Sequence, residues 1–99
     1  MLSSKQRAYL RSMANPILPI FQIGKGGVNE NLITQLSEAL EARELIKVTV
    51  LESSLLDTKQ VCGELADILK GEAVQSIGSK FVLYRQSRQQ DKRKIILPK

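Results

Sequence analysis

Apolar residues recur along the chain with two different periods, and the switches between them mark seven elements. Leu10, Met13 and Ala14 fall at helical spacing behind Ser3 and Gln6, which stand three apart as a capping box requires. A first helix is predicted from about Ser4 to Ala14, and Pro16 ends it by disfavouring helical geometry at Asn15. Leu32, Ile33, Leu36, Ala39 and Leu40 repeat with a helical period behind Asn29, a good N-cap, and predict a second helix to about Arg43. Val61, Leu65, Ile68 and Leu69 form the stripe of a third helix, capped by Asp57 or Thr58 and stopped by Gly71. Shorter runs lie between and after the helices. "IFQI" at 20–23, rich in β-branched and aromatic residues between Pro19 and Gly24, reads as a strand. "LIKVTVL" at 45–51 has β-branched residues on both parities, so a strand there is covered on both faces. "AVQSIG" and "KFVLYR" flank Gly78 and Ser79 and suit a hairpin.

The order helix, strand, helix, strand, helix, strand, strand implies right-handed crossovers and a partly parallel sheet, with the last hairpin adding an antiparallel edge. The expected fold is an α/β (α+β) two-layer sandwich with a mixed four-stranded sheet. Residues 1–85 form one domain in this reading. Residues 86–99, "QSRQQDKRKIILPK", are polar and basic, with little to bury before Ile95, and are expected to be a partly flexible tail.

Charge adds an orientation to this picture. Residues 1–27 carry Lys5, Arg7, Arg11 and Lys25 and no acid, a net +4. Residues 28–69 hold eight acids against three bases, and residues 70–99 hold eight bases against two acids. If the two basic ends meet in space, one positive face is backed by a negative one, the arrangement of a polyanion binder; solvated charge without a partner is the alternative. Arg7 and Arg11, four apart, lie on the same side of their helix.

Candidate chemistry is narrowed by what is missing. The 99 residues include no histidine and one cysteine, Cys62, which excludes an internal disulfide and histidine-dependent catalysis or zinc binding. Cys62 reads as a plain buried thiol in a reducing compartment. No apolar run approaches the roughly 20 residues that span a bilayer, and the N-terminal stretch lacks a secretory core, so a cytoplasmic protein is expected.

Gly24-Lys25-Gly26-Gly27, between a strand and a helix, is either a tight turn or a cradle for an anion, where amides approach without an intervening Cβ and the next helix adds its positive end. A Rossmann fingerprint fails because Asn29 stands where its last glycine belongs, and no P-loop triplet is present. What remains is G-x-x-G, the spacing with which KH domains clamp a nucleic-acid backbone.

"KQRAYLRSMAN", "PIFQIGKGGVNENLI", "LEARELIKVTVL" and "GSKFVLYR" together resemble the YhbY family, the stand-alone bacterial form of the CRM (chloroplast RNA splicing and ribosome maturation) domain, from about Leu2 to Arg85. The resemblance implies an RNA-binding module with a fold similar to the C-terminal domain of translation initiation factor three, associated with precursors of the large ribosomal subunit. By that resemblance Gly24, Lys25, Gly26 and Gly27 form the binding loop, with Lys5, Arg7 and Arg11 beside it. Arg43 and Lys47, flanking the next helix-strand junction, are weaker candidates for RNA contacts, and Arg43 equally suits a cap on helix carbonyls. The expected partner is ribosomal RNA, bound by a monomer through charge and shape, with no cofactor, metal, membrane or small-molecule substrate. Four aromatic residues leave little for base stacking. The rival reading is an assembly module that docks ribosomal proteins through its acidic second and third helices; an enzyme on a phosphorylated ligand lacks any visible acid-base pair.

Overall fold

Alternation in the central strands sends apolar side chains to both faces of one sheet, and each face has its own core. The computed structural model describes residues 2–99. Its elements are α1 (Ser4–Ala14), β1 (Phe21–Ile23), α2 (Glu30–Arg43), β2 (Leu45–Val50), α3 (Thr58–Leu69), β3 (Glu72–Ile77) and β4 (Lys80–Tyr84), with single 3-10 turns at Glu52–Ser54 and Gln90–Lys92. On one face Ile46, Val48 and Val50 of β2 and Phe81 and Leu83 of β4 pack against Leu36 and Leu40 of α2 and Val61, Cys62 and Leu65 of α3. On the other, Leu45, Val74, Val82 and Tyr84 pack against Leu10 and Ala14 of α1 and against Ile95. The fold is α+β with a mixed four-stranded sheet, as expected. To the two layers predicted, α1 and the end of the chain add cover on the second face.

The caps explain why the helices start where they do. The Ser3 hydroxyl accepts from the Gln6 amide while the Gln6 side chain accepts from the Ser3 amide. Asn29 and Asp57 accept from the amides three residues on, Leu32 and Gln60. The stop of α3 differs from expectation by one residue. Lys70, not Gly71, takes the left-handed conformation (φ 57°), and Gly71 donates to the Ala66 carbonyl. A Cβ on Gly71 would meet the Tyr84 carbonyl oxygen at 2.8 Å, so the glycine is required for close approach.

Sheet order is β1-β2-β4-β3, with β1 and β2 parallel and the other pairs antiparallel. The last hairpin adds the expected antiparallel edge, with β4 inserted between β2 and β3 and β3 outermost. Composition accounts for this order. Four of the five β4 residues are buried, as an interior strand requires, whereas "EAVQSI" in β3 buries only Val74.

Residues 86–97 are drawn onto the body by two glutamates at the end of α2, Glu44 and Glu41. Glu44 follows α2 in the left-handed region (φ 66°), where glycine is usual, and is wholly buried. Its carboxylate accepts from the amides of Ser87 (2.7 Å), Lys94 (2.7 Å) and Ile95 (3.0 Å). Burial raises this carboxyl, but the three amides together with Arg93 outweigh it and hold Glu44 below its ordinary value. Glu41 adds an acceptor for the Arg88 amide and the Ser87 hydroxyl.

Candidate nucleic-acid interface

The glycine segment is a β-turn closed by the Gly27 amide donating to the Gly24 carbonyl at 2.9 Å. Gly27 has φ +66°, which a side chain strains. Gly24 and Gly26 lie outside the left-handed region. A Cβ at Gly26 would meet nothing within 4 Å, and one at Gly24 would come no closer than 3.5 Å, to Leu51. The fold therefore requires one of the three glycines, and the other two leave the turn's backbone open to approach. Lys25 and Gly26 at the tip are exposed. Their amides have no internal acceptor among the described residues. The first turn of α2 follows directly, capped by Asn29, with its positive end next to the turn.

The other residues named from the sequence are distributed differently. Lys25 and the three glycines are together just past the end of β1. Lys47 lies on β2, on the face that α1 partly covers, lining a trough with Asn15, Gln75, Ile77, Lys80 and Val82. Arg7 reaches the other edge of the sheet, where its guanidinium donates to the Ala73 carbonyl at the start of β3. It therefore ties α1 to the sheet and does not stand beside the glycine turn or pair outward with Arg11. Lys5, in the same first turn of α1, is exposed near the end of the chain, where Gln6 donates to the Pro98 carbonyl. Arg11 is exposed in the last turn of α1. Arg43 closes α2, about 20 Å from the turn at 1.5 Å per residue, and lines a separate hollow with Met13, Ile17, Leu45, Lys94 and Ile95. The expected patch of turn plus first helix is thus not one cluster.

The wider electrostatic expectation is met only in part. Helix α1 and Ile95 share a core on one face of the sheet, but Arg85 and Arg88 line a hollow against α2 on the other side, where Arg85 donates to Ser37 and to the Leu69 carbonyl. The helices with an acidic balance, α2 and α3, occupy the opposite face. In the sequence Lys80 has one local signal, its place beside a hairpin turn, and only the β2–β4 register, Thr49 opposite Lys80 and Lys47 opposite Val82, brings it near Lys47. Of the aromatic residues Tyr9 is the exposed one; Phe81 and Tyr84 are buried and Phe21 packs against the core. Burial pushes the Cys62 thiol up to about 11 against the opposing pull of Arg7, so it stays protonated at neutral pH.

This α+β fold with its mixed four-stranded sheet is that of a known class of domain. The CRS1 / YhbY (CRM) domain model matches residues 2–85, and the chain belongs to that family. It is 51% identical over 89 residues to the "Probable RNA-binding protein YqeI" of Bacillus subtilis (strain 168), covering 90% of this chain and 93% of the relative. A Haemophilus influenzae protein named "RNA-binding protein" is 33% identical over 98 residues, 99% of this chain and 96% of that one. The solution structure of the hypothetical protein SAV1595 from Staphylococcus aureus superposes with a TM-score of 0.75 at 46% identity, covering 99% of this chain and 100% of that one.

Proposed function

We propose that this protein binds RNA through the glycine turn, with Lys25 and the amides of the turn receiving a backbone phosphate. The observation that carries the reading is that Gly24 and Gly26 have room for a side chain, yet leave exposed amides beside a lysine and a helix N-terminus. Relatives named as RNA-binding proteins support it. Lys47 on the adjoining sheet face is the next contact. Arg11 and Lys5 contribute charge at longer range. Arg43 serves a separate basic hollow, and Arg7 acts mainly by holding α1 in place. The RNA is ribosomal, in precursors of the large subunit, and the role is assembly in the cytoplasm by binding without catalysis.

Lys25→Glu tests the turn directly. It places a negative charge where the phosphate docks, and a loss of roughly 30-fold in RNA affinity (about 2 kcal/mol) is expected in low-salt filter binding, with an unchanged melting temperature. Unaltered affinity would remove the turn from the interface. Association with ribosomal particles should disappear on nuclease treatment; nuclease-resistant association would instead favour docking through the acidic helices.

A further inference from the structure

The sheet face under α1 is only half covered. Helix α1 ends at Ala14, and Ile95 packs at the same side as Leu45 and Tyr84, which leaves the other half of the face open toward the ends of β1 and β2. In that open half the strand register sets Gln22, Thr49, Lys80 and Ile77 in one row across all four strands, about 14 Å wide at about 4.8 Å per strand. Lys47, Val82 and Gln75 form the row behind it. An irregularity between Ala73 and Gln75 leaves Val74 without a β4 partner, so Val74 enters the core under α1 while Gln75 lines the trough. Asn15, just past α1, closes the side. The trough has a volume of about 240 Å³, and its lining contains two lysines and no acid.

The open face is continuous with the glycine turn. Gly24 directly follows β1, and its Cβ position lies 3.5 Å from Leu51, the residue after β2. The Val50 amide donates to the Ser79 carbonyl, which fixes the turn before Lys80 at this same end of the sheet.

We propose that this half-sheet is a second subsite of the interface, along which single-stranded RNA continues from the glycine turn. The proposal rests on the turn as the first contact. Lys47 and Lys80 receive successive phosphates, the Asn15 and Gln75 amides offer donors and acceptors to base edges, and Ile77, 65% exposed, supplies an apolar surface for a base. Base edges are accessible to those amides only in an unpaired strand, which selects single-stranded over duplex RNA. With no aromatic side chain in the trough lining, recognition there is weak per nucleotide and tolerant of sequence.

Two single-stranded RNAs separate the subsites: one of about four nucleotides, the length a G-x-x-G loop clamps, and one of about ten. Lys80→Gln should lower affinity for the longer RNA severalfold and reduce its salt slope by about 0.7, one phosphate's worth, while leaving the short RNA unchanged. Ile77→Ser, at an exposed position, should weaken the longer RNA severalfold with no change in salt slope. Lys25→Glu should weaken both RNAs. If the lysine variant affects neither RNA, or both equally, the half-sheet is not a track, even where Lys25→Glu confirms the turn. Should Lys25→Glu change neither RNA, the turn fails as a site, and so does a track that starts from it. A greater loss on a duplex of equal charge than on the ten-nucleotide strand would likewise overturn the proposal.

Discussion

Two groups of backbone amides among the described residues contrast: one has a carboxylate built in, and the other has no internal acceptor. After β4, the amides of Ser87, Lys94 and Ile95 meet the Glu44 carboxylate, which has no exposure to solvent. At the glycine turn, the amides of Lys25 and Gly26 face outward beside a lysine. The chemistry is the same, N–H groups arranged around negative charge. Its outcome depends on where the charge comes from. An internal carboxylate turns the arrangement into an attachment that fixes a chain segment, whereas at the turn the anion of the proposed function comes from outside.

The contrast breaks most visibly at Glu44. Glu44→Ala removes the acceptor of three amides, and each buried unsatisfied donor costs about 1–3 kcal/mol, so a loss of about 3–5 kcal/mol is expected in urea unfolding. Amide exchange should rise at Ser87, Lys94 and Ile95 together. A loss below about 1 kcal/mol would mean that the carboxylate is not what fastens the segment.

Acid should weaken the same attachment more gradually. Glu44 titrates below its ordinary value of 4.5 in the folded protein, so the unfolded chain takes up its proton first as pH falls. The contribution is complete well above 4.5, declines as pH falls through 4.5, and is gone once pH passes below the depressed folded value. Glu41, held low against burial by the Arg88 and Gln89 amides, the Ser87 hydroxyl and Arg85, shifts in the same direction. Urea unfolding at pH 7 and pH 3 should therefore separate the wild type from Glu44→Gln, with the variant less sensitive to pH.

Smaller effects sharpen the contrast at the other end. Gly27→Ala should cost about 1–2 kcal/mol because its φ is +66°, whether or not RNA is present. Gly26→Ala should change stability by less than about 0.5 kcal/mol, since the added methyl meets nothing within 4 Å, yet lower RNA affinity severalfold by blocking the approach of a phosphate. Equal effects of the two substitutions on melting would contradict this division of roles.

Local features were legible in the sequence because their causes are local. Ser3 with Gln6, Asn29 and Asp57 set the helix starts through bonds three residues long, and the turn at Gly24 to Gly27 is closed within four residues. The partners of Glu44 lie 43 to 51 residues away, and no local period announces them. The one available sign was a glutamate directly after α2, where glycine is common. Arg7 was misplaced for the same reason: helical spacing gives its side of α1, but only the packing of α1 over β3 shows that Ala73 occupies it. The polar composition of β3 against the apolar run of β4 did contain the strand order, because an edge tolerates what an interior strand does not.

The insertion of β4 between β2 and β3 also bears on how the chain is made. During synthesis from the N-terminus, β1 and β2 emerge early but form only a two-stranded parallel ribbon, and β3 has no neighbour until residues 80–84 follow it. Closure of the sheet therefore waits for the fourth strand, and a nascent polypeptide halted before Lys80 would leave the Phe81 and Leu83 positions of the interior unfilled.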